Sequence, residues 1–327
     1  MKKFLVPIIA LFIALLAGVI TYYKFKENDE TTKIRLAEVT HSVFYAPMYV
    51  AIEKGYFEDE GIKIELILTP GADKVAAAVL SNDVEVGFAG VESAIYVYKG
   101  GEKNYLETFA GLTKRDGQFI VSRKKIDNFT MQDLIGKEIL PGRPGGMPIL
   151  NFLNALKNTS VNEGDVNINT SIDYAGLVGA FIGGNGDFVN LYEPLATKLE
   201  KEGYGYVASS IGEFSGEVPY TAFYARKNYI ANNKDLLIKF TNAINKGLEY
   251  VKENDSKTIA EAIVKQFPDT SMNDLIIITE RYKSADSWRA NPFISEKTFN
   301  NLLDIMKDAK LIEGSIPYNK LITNLYE

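Results

Sequence analysis

Runs of strand length alternate with runs of helix length twice over between residues 33 and 225, and beyond Lys227 the strands stop. Strand–helix alternation builds βαβ units, which close into mostly parallel sheets covered by helices. The first set places strands at 33–39, 62–68, 85–89, 105–113 and 118–122, and helices at 47–55, 74–80 and 91–98. In the second set, strands at 138–140, 166–172, 188–191 and 206–209 alternate with helices at 148–156, 175–182 and 193–202. A strand at 220–225 then precedes five helical segments, at 235–252, 256–266, 272–285, 295–309 and 317–325. Pro47 and Gly55 punctuate the first helix, proline in its first turn and glycine at its stop. The expected class is α/β with a helical C-terminal tail.

The recurrence is architectural, with no internal sequence repeat behind it. A chain that builds one α/β lobe, crosses near 114–118 to build a second and returns near 218–222 leaves two crossing segments between the lobes. That is the hinge geometry of a clamshell. The expected division is residues 1–30 as a leader and linker, 31–115 with 222–327 as lobe 1, and 116–221 as lobe 2.

At 327 residues the chain is long enough for two packed units, since a single core stops growing at roughly 250–300 residues. A charged content of 24% and a hydrophobic content of 46% are those of a globular protein, not a disordered one. The net charge of −6 offers no basic surface to neutralise phosphates, so no nucleic-acid partner is expected. There is no cysteine, which removes disulfides, thiolate metal sites and cysteine nucleophiles.

Compartment is read from the N-terminus. Lys2 and Lys3 precede an uncharged, mostly apolar run at 4–23 that ends on Tyr22 and Tyr23 before Lys24 and Lys26. The run exceeds the roughly 7–15 apolar residues of a cleavable signal and matches the ~20 needed to span a bilayer. The terminal tyrosines resemble an interfacial belt. An uncleaved membrane anchor is favoured over a cleaved secretory signal, and either places the folded part outside the cytoplasm.

In open α/β sheets, ligands sit beyond the C-terminal strand ends where the strand order reverses. The loops there are 40–45, 69–73 and 90–93 in the first set, and 141–147, 173–174 and 192–193 in the second. Candidate ligand contacts are therefore His41, Phe44, Tyr45, Gly71, Glu92 and Ser93, facing Arg143, Gly145, Gly146, Asp173, Tyr174 and Glu193. Trp288, the one tryptophan, lies in a polar segment between helices and either covers the cleft or packs on the first lobe. The loop GRPGGMP at 142–148 is the best anion candidate, with Arg143 and three glycines before a helix. It fits neither the P-loop nor the GxGxxG pattern. His41 is the only histidine, so it has no partner for a metal site; it is a ligand contact or a capping or core residue. Glu92 and Glu193 are ligand acceptors or helix N-terminal charges. Phe44 and Tyr45 can stack on a flat ligand. No GxSxG, HExxH or EF-hand motif occurs, and no cofactor is indicated.

The string APMYVAIEKGYFEDEGIKIEL closely resembles the first strand–helix–strand of ABC-transporter solute-binding proteins of the nitrate/sulfonate/taurine and thiamine-pyrimidine-precursor-like family. DVEVGFAG resembles the third strand of that family, LIGKEILPGRPGG its second glycine loop, NLYEP its E–P segment and VPYTAFYARKNYI its return crossing. The resemblance implies a type II periplasmic-binding-protein fold, a monomeric receptor, and delivery of a small molecule to an ABC permease and its ATPase. Two departures stand out. Val19 occupies the place of the lipobox cysteine of many Gram-positive relatives, so the apolar helix would replace a lipid as membrane attachment. The cysteine-rich motif of the enzymatic relatives is absent, so an enzyme that makes the thiamine pyrimidine is the least favoured alternative. An extracytoplasmic sensor for a membrane partner is another. An aromatic heterocycle such as a thiamine or riboflavin precursor is the expected ligand, ahead of a sulfonate or nitrate.

Overall fold

A computed structural model describes residues 31–326. The apolar segment at 4–23, and with it the expected anchor, lies outside the described residues. Strands β1 (Thr32–Glu38), β2 (Ile62–Leu68), β3 (Val86–Gly90), β4 (Leu106–Gly111) and the late β10 (Thr221–Arg226) form one five-stranded sheet, in the order β2-β1-β3-β10-β4. A second five-stranded sheet contains β5 (Phe119–Ser122), β6 (Glu138–Leu140), β7 (Asn167–Ile168), β8 (Phe188–Leu191) and β9 (Tyr206–Ser210), in the order β7-β6-β8-β5-β9. The two orders are the same pattern. In each, the strand entered directly from the other sheet, β10 or β5, inserts antiparallel between two strands that run the opposite way. The remaining pairs are parallel. Backbone crosses between the sheets at 112–118 and returns at 216–220.

The helices follow their sequence signals. Helix α1 (Ala46–Glu53) carries Pro47 in its first turn, and Gly55 just past its end adopts φ +74°. Helices α2 (Ala72–Leu80) and α3 (Glu92–Lys99) follow β2 and β3, and α4 (Met147–Asn158) and α5 (Leu195–Lys201) follow β6 and β8. The tail forms α6 (Lys234–Glu253), α7 (Ser256–Ile263), α8 (Met272–Ser284) and α9 (Glu296–Asp308). Asp255, Ser271 and Ser295 each accept a backbone N–H at the start of α7, α8 and α9, which satisfies a donor the helix itself cannot. Along α6, Leu237, Phe240, Ile244, Leu248 and Val251 recur at helical spacing and are buried; each such side chain contributes about 1.5–3 kcal/mol. Helix α6 crosses α1 so closely that a Cβ on Gly247 would fall 2.1 Å from the Pro47 carbonyl oxygen.

Two expected elements are shorter than their apolar pattern suggests. The strand at 166–172 is only Asn167–Ile168, because the Asn169 side chain accepts from the Ser171 N–H and hydroxyl and turns the chain away. The helix at 317–325 is only Tyr318–Leu321. Beyond it, Thr323 and Leu325 donate to the carbonyls of Thr108 and Phe109 on β4. Strand β4 is a sheet edge, and its unpaired backbone groups take the chain out of the helix.

Candidate functional site

The C-terminal ends of β3 and β4 lie beside the start of β10, where Thr221 pairs with Gly90 and Ala222 with Gly111, and the end of β1 pairs with β3. Likewise Phe119 at the start of β5 pairs with Leu191 and Ser210, the ends of β8 and β9. Loops from both sheets meet here, over the two crossing segments, and the meeting place is aromatic.

Phe44 is its centre. Ser42 caps the tight turn Val43–Tyr45 by accepting the Phe44 N–H. The Phe44 ring lies 5.3 Å from Tyr45, 5.9 Å from Tyr192, 5.7 Å from Tyr220 and 5.3 Å from Tyr282. Tyr174 extends the array to 5.7 Å from Tyr192 and accepts the Tyr192 N–H through its hydroxyl. The Tyr192 and Tyr220 hydroxyls bond each other at 2.5 Å. Burial pushes the pKa of Tyr45, Tyr174, Tyr192 and Tyr220 upward, so these hydroxyls stay protonated. Gly117 on the first crossing is pressed against this cluster: a Cβ there would sit 2.6 Å from three Phe44 ring atoms.

The glycine loop expected to hold an anion already holds the chain's own carboxylates. Glu92, the first residue of α3, is buried, and its Oε1 accepts the Met147 N–H at the start of α4 at 3.4 Å. Burial pushes its carboxyl up to about 7, against the pull of the Glu92, Met147 and Ser93 backbone N–H groups and of the Arg143 charge. Arg143 is exposed and donates to Asp73 Oδ1 at 2.6 Å, beside Gly71. Gly145 accepts from the Tyr96 hydroxyl at 2.9 Å, and Gly146 caps α4. Ser93 donates to the Gly90 carbonyl at 2.7 Å and borders Tyr224.

Glu193 is committed as well. Its side chain has no exposed surface. Oε2 accepts the Thr197 N–H at 2.8 Å, and Oε1 accepts the Thr197 hydroxyl and the Arg281 guanidinium, each at 2.8 Å. Arg281 also reaches Glu200, and these two carboxylates outweigh the effect of burial and raise its pKa. The Glu193 carbonyl accepts from Ser42 at 2.7 Å, while its N–H donates to the Tyr282 hydroxyl at 3.0 Å. The segment therefore ties the end of β8 to the turn after β1 and to α8.

His41 stands apart from the aromatic cluster. Nδ1 bonds Glu38 at 2.7 Å and Nε2 bonds the Gln266 carbonyl at 2.9 Å, with the Phe267 ring tilted against it at 4.9 Å. The Glu38 bond raises its pKa. Asp173 is exposed at the surface. Trp288 is buried behind Phe44, donating to its carbonyl at 2.9 Å. Of the expected residues, Phe44, Tyr45 and Tyr174 belong to the cluster, and Glu193 and Trp288 border it through Tyr282 and the Phe44 carbonyl; Glu92 and Ser93 bond Met147 and Gly90 instead.

The sequence named the loop at 192–193 without singling out Tyr192, and it did not single out Tyr220, Tyr282 or Asp116. Asp116 lies in the first crossing with no exposed surface, and burial pushes its carboxyl up to about 8, against the pull of the Gln118 N–H and the Tyr220 hydroxyl. Its signal was a lone carboxylate in a segment already expected to cross between lobes. Among the described residues no group of three metal-ligating side chains assembles. Two open cavities lie elsewhere, about 340 Å³ between α4 and α9 and about 300 Å³ around Lys114 and Lys252. Neither contains the buried carboxylates or the strand ends, and the cluster is the candidate site.

Residues 43–258 match the family model described as NMT1/THI5 like. The chain is 39% identical over 298 residues to "Putative binding protein YtlA" of Bacillus subtilis (strain 168), covering 91% of this chain and 89% of YtlA. In structure it is similar to the alkanesulfonate-binding protein SsuA from Xanthomonas axonopodis pv. citri bound to MOPS, with a TM-score of 0.71 at 15% identity over 90% of this chain and 99% of that one. A ligand-binding component of an ABC-type import system from Staphylococcus aureus gives a TM-score of 0.71 at 16% identity, over 90% and 97%. The fold is that of periplasmic binding proteins, and by sequence the chain belongs to the NMT1/THI5-like family.

Proposed function

We propose that the chain is the extracytoplasmic solute-binding component of an ABC importer, capturing a small molecule between two lobes and acting by binding, not catalysis. Residues 31–115 with 222–327 form one lobe and 116–221 the other in this proposal, and the apolar segment at 4–23 holds the receptor at the membrane. A flat nitrogen heterocycle is the favoured ligand class. The observation that carries this is the aromatic enclosure itself. Phe44, Tyr45, Tyr174, Tyr192 and Tyr220 gather where strand ends from both sheets converge. The features that would favour a sulfonate or nitrate, Arg143 and the α4 N-terminus, are taken by Asp73 and Glu92.

A thermal-shift screen of the full chain tests it, with heterocycles and small anions as the two arms. A ligand at 100 times its Kd adds about 2.7 kcal/mol to stability, which raises the melting temperature measurably. If sulfonates or nitrate stabilise the chain and heterocycles do not, the ligand class is wrong. If no member of either class does, the receptor function falls.

A further inference from the structure

The segment from Asp286 to Ala290 runs antiparallel beside the first crossing: the Lys114 N–H donates to the Ser287 carbonyl at 2.9 Å, and the Arg289 N–H to the Leu112 carbonyl at 3.0 Å. Between this segment and the last turns of α6 lies the cavity of about 300 Å³, with Leu248, Val251 and Trp288 in its wall. It is separate from the aromatic cluster, since no ring of Phe44, Tyr45, Tyr174, Tyr192, Tyr220 or Tyr282 lines it.

Its polar lining is one-sided. Lys114, Lys252, Lys283 and Arg289 bring four positive charges, and Asp286 brings the one carboxylate. Asp286 pairs with Lys114 at 2.7 Å. Lys283 donates to the Val251 and Asn254 carbonyls, which bond the ammonium without neutralising it. The Lys252 ammonium enters no described ion pair, and neither does Arg289.

Solvent accounts for exposed lysines; it does not account for Arg289 and Ser287. The Arg289 stem passes over Gly111 so closely that a Cβ there would fall 2.7 Å from Arg289 Cδ, and Nη2 donates to the Phe293 carbonyl. Nε and Nη1 are buried with no acceptor. Ser287 is 1% exposed, and its hydroxyl has no partner either. Burial pushes the guanidinium down to about 10, against the pull of Glu217 and Tyr318, so it is still charged at neutral pH. A buried charge with unused donors is costly, and native proteins rarely keep one without use. A guanidinium fixed in place matches the paired oxygens of a phosphate or carboxylate.

We propose that this cavity is a second ligand site, taking a small multivalent oxyanion on Arg289, Ser287, Lys252 and Lys283, away from the cleft. Phosphoryl and polycarboxylate groups share the chemistry that would fill it: several anionic oxygens within one small molecule. Lys114 belongs to the crossing segment and Lys252 to α6, so an occupant would touch both.

Calorimetric titration of the full chain at constant ionic strength tests this with pyrophosphate and citrate, and with acetate as the monovalent control. Pyrophosphate or citrate is expected to bind with a Kd below about 1 mM and about tenfold or more tighter than acetate; the tighter of the two identifies the oxyanion class. Lys252→Glu is expected to weaken that binding about tenfold, whereas Lys103→Glu, at the far end of β4, leaves it unchanged. Asp286→Asn removes the one acid and is expected to tighten binding about threefold or more. Lys252 and Asp286 are both exposed, and asparagine tolerates the positive φ of 50° at 286, so these two variants keep the fold. The proposal is overturned if neither multivalent anion binds below about 1 mM, if acetate binds as tightly, or if Lys252→Glu and Asp286→Asn both leave the affinity unchanged. An anion lodged in the cleft would give that last result. The receptor function is untouched by any of these outcomes.

Discussion

Arg281 on α8 holds the Glu193–Glu200 segment of the other half by three bonds: Nη1 to Glu193 Oε1 at 2.8 Å and Thr197 Oγ1 at 2.7 Å, and Nη2 to Glu200 Oε2 at 2.5 Å. The Glu193 side chain is fully buried and that of Arg281 is 22% exposed. Removing one partner of a buried ion pair costs about 3–5 kcal/mol, because the remaining charge is left uncompensated. The Glu200 bond lies nearer water and adds little. If, as proposed, the chain opens between two lobes, Glu193 meets water instead, so the penalty of Arg281→Ala falls on the form in which the pair is made. The closed-to-open ratio then drops roughly 100- to 5,000-fold. The assay uses the absence of cysteine: Lys63→Cys and Lys124→Cys, at exposed positions in the two halves, accept a dye pair for distance measurement. Arg281→Ala is expected to shift the ligand-free chain to longer distances and to weaken ligand binding. Arg281→Met combined with Glu193→Leu removes both charges together and restores much of the closed population. The reasoning is refuted if Arg281→Ala keeps the original distances and loses 3–5 kcal/mol in denaturant unfolding instead. The pair would then be internal scaffolding.

The pH dependence of stability follows from the same buried carboxylates. Burial raises Glu92 from 4.5 to about 7 and Asp116 from 3.8 to about 8, so the native chain keeps protons that the unfolded chain releases. Their stabilising contribution is full below about pH 4 and is lost as pH rises through about 7 and 8, at up to about 1.4 kcal/mol per pH unit for each group. Denaturant midpoints of Asp116→Asn and Glu92→Gln should therefore fall less steeply between pH 4 and 8 than those of the unaltered chain, and equal slopes would count against it. His41→Gln should cost about 1–3 kcal/mol of stability, since both ring nitrogens are engaged. It should leave ligand affinity unchanged, and a tenfold loss of affinity in titration would return His41 to the site. Gly117→Ala drives a methyl group into the Phe44 ring. About 1–3 kcal/mol of overpacking is expected in thermal unfolding, along with weaker ligand binding; a variant as stable as the original would place Phe44 in looser surroundings than described.

Much of the fold was legible in local pattern. The strands at 62–68, 138–140 and 188–191 fall where alternation and apolar runs place them, and Gly55 ends its helix in the left-handed conformation glycine favours. The candidate site was half legible, because strand ends on a switch-point sheet name the loops but not the side chains that meet. That rule named Phe44, Tyr45 and Tyr174 of the aromatic cluster. Tyr220 and Tyr282 were not, since one lies on a returning crossing and the other inside an amphipathic helix.

What the sequence determined by itself is therefore the periodic part: two α/β sets, a helical tail, a family likeness and an acidic chain without cysteine. What only the tertiary structure decided is how each charge is used. Arg143, Glu193 and the α4 N-terminus suit a ligand as sequence, yet each is bonded to a group distant in the chain: Asp73, Arg281 and Glu92. Secondary structure follows from neighbours along the chain, whose spacing is visible in one dimension. A charge is spent or left available by partners 50 to 90 residues away, brought within 3 or 4 Å only when the two sheets face each other. That is why Asp116, with no sequence motif at all, comes to lie fully buried beside the Tyr220 hydroxyl.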